Sequence, residues 1–241
     1  MIFIGRNQTI VLFNTHGMAA MVRWIMIFLF ALAILLFVVA FVVTRIENSQ
    51  YAENKSYKDK WSGAELRETT TAIVVFSRSG NTGVLADHIA TKTDGDVYEI
   101  LAEKYQLGIP GLISALNDAR GNVAEISPAQ IDLTQYDTVY LGSPIWLYSP
   151  APPLWQFVEN NDFTNKNVVL FNTFNSKFEQ HFIDEFEALV RSNGAINFTH
   201  QYVKRGRMGG QISSQELTQR FDEKYDNESV SEIVGDSDEQ Q

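Results

Sequence analysis

Twenty consecutive apolar residues run from Trp24 to Val43 (WIMIFLFALAILLFVVAFVV), bounded by Arg23 and Arg45 and carrying no charge. That length crosses a hydrocarbon core as one helix, and a stretch apolar on every side does not suit an amphipathic helix packed on a soluble domain. A cleaved secretory leader would have a shorter apolar stretch and a small-x-small site; Thr44-Arg45-Ile46-Glu47 follows instead. The pattern predicts a flank over 1–23 and a single transmembrane helix over 24–44. Met18 and Met21 stand just ahead of the span as alternative translation starts. Arg6 and Arg23 precede the span, while Arg45, Lys55, Lys58 and Lys60 follow it. The positive-inside tendency therefore predicts a cytoplasmic C-terminal side.

Residues 45–68 are polar and lack periodicity, as expected of a tether. A domain is expected over 69–227, where strand and helix patterns alternate. Short apolar or β-branched runs predict strands at Thr71–Phe76, Asp96–Leu101, Asp137–Leu141, Asn167–Phe171 and Ile196–Val203. Between and after them lie five helical patterns: Thr82–Thr91, Gly111–Ala119, Ala151–Glu159 with prolines in its first turn, Phe178–Ser192 and Ser213–Tyr225. Five strands interleaved with helices imply parallel pairing through right-handed crossovers, hence a five-stranded, doubly wound α/β sheet. Ligands of such sheets sit at the carboxyl ends of the strands, at the switch point, so the segments after strands one, three and four are the candidate site.

Composition narrows the chemistry. The chain has no cysteine, which excludes thiolate catalysis, disulfides and cysteine-held clusters. Its four histidines show no HExxH-type spacing, so no protein-ligated metal is expected. Eight acids from Asp222 onward face one base, Lys224, so most of the formal charge of −10 belongs to the C-terminal end. Residues 228–241 are expected to be a solvated, disordered acidic tail. No basic stripe exists to neutralise phosphates, so nucleic acid is not an expected partner.

Ser77-Arg78-Ser79-Gly80-Asn81-Thr82 follows the first strand and opens a helix. Hydroxyls, a glycine and free N–H groups at a helix start form a phosphate cradle; the competing reading is a capped turn with Asn81 or Thr82 as N-cap. The chain lacks both GxxxxGK[ST] and GxGxxG, which argues against an ATPase or a dinucleotide-binding dehydrogenase. After the third strand comes Gly142-Ser143-Pro144-Ile145-Trp146-Leu147-Tyr148-Ser149-Pro150. It is a proline-stiffened loop whose aromatics either receive a flat ring or pack on the next helix.

FSRSGNT after a first strand and YLGSPIWLYSPAPPLWQFV after a third together resemble the flavodoxin family, over about 155 residues. The resemblance implies a flavin mononucleotide (FMN) cofactor. It places Ser77, Ser79, Asn81 and Thr82 side chains, with Arg78 and Gly80 N–H groups, around the FMN phosphate. The second loop, Ser143, Pro144, Ile145 and Trp146, would border the isoalloxazine, with Trp146 the stacking candidate and Tyr148 its reserve. The third loop, with Thr173, Phe174 and Asn175 at the pyrimidine edge, lacks the glycines common in the family. Lys204-Arg205-Gly206-Arg207 is a basic cluster read either as a solvated loop or as a contact for anionic lipid, a nucleotide phosphate or an acidic partner.

The resemblance implies redox chemistry carried by the flavin, with no residue required as catalytic acid or base. Three functions follow: an anchored electron carrier between a reductant and a redox partner protein, an NAD(P)H-dependent quinone reductase, and a membrane-tethered interaction module. A receiver-like phosphorylation domain, which shares the topology, would need an acidic cluster where Phe76-Ser77-Arg78 stands.

Overall fold

The computed structural model describes residues 15–55, 61, 68–207 and 209–235. Helix α1 spans Thr15–Asn54. Between Met18 and Asn54 neither proline nor glycine interrupts it, so the helix runs ten residues beyond the predicted span and into the expected tether. By length and composition it can cross a membrane, with a mean hydropathy of 3.3 in its most apolar window. Large side chains from Met21 to Val42 are exposed, Trp24 at 70% and Phe37 at 72%. Residues up to Val42 form one compact unit and those from Val43 onward another. Of the other segments named above, 1–14, most of 56–67 and 236–241 lie outside the described residues.

The second unit is built on β1 (Thr71–Val75), β2 (Asp96–Glu99), β3 (Thr138–Trp146), β4 (Ser149–Pro150), β5 (Asn167–Phe174) and β6 (Asn197–Lys204). Five of these pair in parallel in the order β2-β1-β3-β5-β6, while β4 pairs antiparallel with the end of β3. Helices α2 (Asn81–Thr93), α3 (Ile109–Asp118), α4 (Pro152–Asn160), α5 (Gln180–Ser192) and α6 (Ser214–Gly235) connect and follow them. The predicted α/β doubly wound sheet is therefore present, with the small β4 hairpin arm added.

Period-two alternation in β1 explains the two layers. Ala72 and Val74 face a core with Leu154, Phe157 and Phe186, from α4 and α5. Ile73 and Val75 face the other side, with Leu85 and Ile89 of α2 and Leu217 and Phe221 of α6. Ala72 to Val75, four of the five β1 residues, are fully buried, which accounts for a continuous apolar run rather than an alternating one. The chain leaves β1 for β2 on one side and reaches β3 on the other, opening a crevice at the β1/β3 carboxyl ends. Past Tyr225, α6 continues through Gly235 into the segment expected to be a tail; no proline or glycine stops it earlier, and propagation from its packed first half is cooperative.

A buried polar chain ties the carboxyl ends of β3, β5 and β6. Asn172 is fully buried and donates through Nδ2 to the Ser143 carbonyl at 2.8 Å. Its Oδ1 lies 2.9 Å from His200 Nε2, so that nitrogen carries the proton of a neutral imidazole. Burial, with a smaller contribution from the Lys224 charge, pushes the His200 pKa down to about 4. In the unfolded chain it returns to about 6.5 and takes up a proton more readily. Stability from this site is therefore complete above about pH 6.5 and lost progressively as pH falls toward 4, by at most about 3 kcal/mol. Denaturation midpoints measured across this window should fall with pH, and His200→Gln should flatten that slope.

Candidate functional site

Gly80 makes the first loop possible. Its φ of 87° is left-handed, and it stands at the N-cap of α2 in place of Asn81 or Thr82, the caps of the competing capped-turn reading. Ser77 Oγ accepts the Gly83 N–H at 3.1 Å, and Val84 N–H bonds the Gly80 carbonyl. The N–H groups of Gly80, Asn81 and Thr82 are left without partners inside the helix, at its electropositive end. Thr82 is 1% exposed, and its Oγ1 meets Thr173 Oγ1 at 2.8 Å, joining the first loop to the third.

Arg78, expected to offer only its backbone N–H to the cradle, has a separate use for its side chain. Its guanidinium forms a two-pronged pair with Glu47, with Nη2 to Glu47 Oε2 at 3.1 Å. Nε donates to the Tyr105 carbonyl at 3.1 Å and Nη2 to that of Gly108 at 3.0 Å. Glu47 is 2% exposed and also accepts the Gly108 N–H. Asn54 donates to the Ser79 carbonyl at 3.4 Å and to Asn81 Oδ1 at 3.1 Å. The last turns of α1 thus brace the first loop, within the segment expected to be a tether.

The second loop is a hairpin. Strand β3 continues through Gly142-Ser143-Pro144-Ile145-Trp146 and returns as β4, with Ile145 opposite Pro150 and Trp146 opposite Ser149. Its two-residue tip, Leu147 at φ 41° and Tyr148 at φ 82°, has the left-handed backbone that usually calls for Asn-Gly. Surrounding contacts hold it there: Arg120 Nε donates to the Leu147 carbonyl at 3.3 Å and Glu179 N–H to that of Tyr148 at 3.0 Å. Lys177 and Arg120 lie 5.0 and 5.6 Å from the Tyr148 ring centre. Trp146 packs edge-on against Phe76 and Tyr105, with centroids at 5.5 and 5.2 Å, which fixes its indole.

These loops enclose one cavity of about 340 Å³. Ser77, Arg78, Ser79, Asn81 and Thr82 line it from the first loop, Pro144, Ile145 and Trp146 from the second, and Thr173, Phe174 and Asn175 from the third. Two predicted residues do not line it. Gly80 serves the turn, and Ser143 is fully buried beneath the loop, its Oγ accepting Ala151 N–H and Asn172 Nδ2 at 3.3 Å. Lining residues that the motifs did not indicate include Glu47, Leu112, Leu116, Lys177 and Arg205. Of the basic cluster, Lys204 and Arg207 are exposed as a solvated loop would be, but Arg205 is 5% exposed and turned into the protein.

Chemically the cavity has two parts. Serine and threonine hydroxyls with helix-start N–H groups that lack partners inside the helix suit a phosphate monoester. Pro144, Ile145, Trp146 and Tyr148 supply apolar and aromatic surface suited to a planar ring. A nucleotide combining the two fits this donor set.

Residues 113–223 match the family model described as flavodoxin, a stretch that includes the second and third loops but not the first. Among solved structures, a flavoprotein in complex with FMN from Lactobacillus acidophilus is 24% identical, with a TM-score of 0.46; the match covers 55% of this chain and 93% of that one. A putative flavoprotein from Bacteroides uniformis is 22% identical, over 64% and 97% of the two chains, with a TM-score of 0.48. Oxidised Flavodoxin 1 from Bacillus cereus is 21% identical, over 62% and 92%, with a TM-score of 0.39. No curated protein sequence matches the chain.

Proposed function

We propose that this flavodoxin-like domain binds FMN and, anchored by its N-terminal helix, carries electrons between a cytoplasmic reductant and a redox partner in or near the membrane. The observation that carries the reading is the convergence of three carboxyl-end loops on one cavity, with hydroxyls and N–H groups on the first and aromatic surface on the second. Ser77, Ser79, Asn81 and Thr82 hold the phosphate; Trp146 and Tyr148 border the ring; Thr173, Phe174 and Asn175 lie toward its remaining edge. FMN supplies the redox chemistry, and the protein contributes position and electrostatics.

The exposed apolar length of α1 supports anchoring, and the basic residues Arg45, Lys55, Lys58 and Lys60 after the span support a cytoplasmic domain. Protease protection in sealed vesicles reads that sidedness directly. For the function, the full-length chain in detergent with bound FMN is mixed with NADH or NADPH and a soluble quinone. The carrier reading predicts negligible steady-state nicotinamide oxidation until a flavodoxin reductase is added. Fast turnover without that reductase would make the protein a quinone reductase, and no flavin reduction under either condition would leave an interaction module.

A further inference from the structure

Arg205 stands outside the three loops that converge on the cavity. It follows the last residue of β6, its backbone N–H is bonded to the Phe174 carbonyl at 2.9 Å, and its side chain lines the same cavity as Ser79, Asn81 and Thr82. The residue is 5% exposed. Nη2 donates to Ser214 Oγ at 3.3 Å, whereas Nε and Nη1 have no hydrogen-bond partner among the described residues. A buried guanidinium with two empty donors is costly unless an anion completes it.

The surroundings point to the position of that anion. Ser214 Oγ donates to Asn54 Oδ1 at 3.0 Å, and Asn54 in turn donates to the first loop at Ser79 and Asn81. Arg205 therefore belongs to the same polar network as the hydroxyl end of the cavity. Glu47 is the acid lining this space, and Arg78 already occupies it. Glu53 is near enough for its charge to be felt at Arg205 but is itself exposed. The cavity thus carries a spare buried cation in a chain of net charge −10.

We infer that Arg205 is a phosphate-binding residue, which directs Nε and Nη1 at the phosphate monoester held by the first loop and makes the cavity select the phosphorylated flavin over riboflavin. This inference rests on the FMN reading and adds a charged ligand from a third segment of the chain. A two-donor guanidinium–phosphate contact gives both charge and geometry, which lysine reproduces only in part.

The test uses the full-length chain in detergent, freed of flavin and titrated separately with FMN and riboflavin by flavin fluorescence. Wild type should prefer FMN. Arg205→Gln should weaken FMN on the order of 10- to 100-fold while leaving riboflavin within about threefold, and Arg205→Lys should recover part of the loss. Inorganic phosphate should compete with FMN in the wild type, a readout that requires no variant to fold. An unchanged FMN-to-riboflavin ratio in a folded Arg205→Gln protein, or no competition by phosphate, overturns the inference while the FMN reading stands. Failure of folded wild type to bind either flavin overturns the FMN reading, and this inference with it.

Discussion

Glu47→Ala is expected to destabilise the α/β domain by about 3–5 kcal/mol, the range seen when one partner of a buried ion pair is removed. Both side chains of the pair are buried, at 8% exposure for Arg78 and 3% for Glu47. Alanine at 47 leaves the Arg78 charge facing only the carbonyls of Tyr105, Gln106 and Gly108, and also removes the acceptor of the Gly108 N–H. The damage should be local as well as global, because those bonds tie the first loop to the segment before α3. Thermal unfolding by circular dichroism should show a lower midpoint, and hydrogen exchange should quicken at 77–82 and 105–108. Glu47→Gln, which retains an acceptor, should lose less. By the same logic a chain cut to begin at Thr69 should melt below one beginning at Val43. An unchanged midpoint for Glu47→Ala would show that the last turns of α1 do not brace the domain.

Gly142→Val should be nearly as damaging, for a steric reason. A Cβ at Gly142 would lie 2.1 Å from Phe171 Cζ and under 3 Å from two further ring atoms. Phe171 is fully buried among Ile73, Val75 and Leu85, so its ring has no room to retreat. Overpacking of this kind usually costs about 1–3 kcal/mol, and a branched side chain against a locked ring belongs at or beyond the upper end. The site should suffer too, because Gly142 leads directly into the second loop. Urea midpoints should fall from wild type to Gly142→Ala and fall again to Gly142→Val; a valine variant as stable as wild type would contradict the packing described.

What the sequence disclosed follows from how local each signal was. Thr71–Val75 was legible because a strand buried on both faces is written as a continuous apolar run. The two loop motifs were legible because each lies within a single stretch of chain. The end of β3 was not: Gly142 and Pro144 discourage a strand reading, yet register with β5 persists to Pro144 opposite Thr173, and the β4 hairpin carries pairing on to Trp146. The brace from α1 left no local trace, since Glu47 meets a partner 31 residues away and Asn54 one 160 residues away. The basic run Lys204-Arg205-Gly206-Arg207 does not by itself distinguish a solvated loop from a ligand contact; the strand end and the turn at Gly206, with φ 96°, separate Arg205 from its exposed neighbours and point it inward. Ser143 illustrates the reverse, a motif residue that the fold uses beneath the loop to hold Asn172 and Ala151.

The central claim, a cavity made for FMN, is tested most directly by titrating the full-length, flavin-free chain in detergent with FMN and following the quenching of flavin fluorescence and the change in the visible spectrum. Saturable one-to-one binding, lost or greatly weakened in a folded Ser79→Ala, Thr82→Ala double variant, is the result expected from the first loop's geometry. A folded wild-type chain that leaves FMN fluorescence and spectrum unchanged at micromolar concentrations would contradict it.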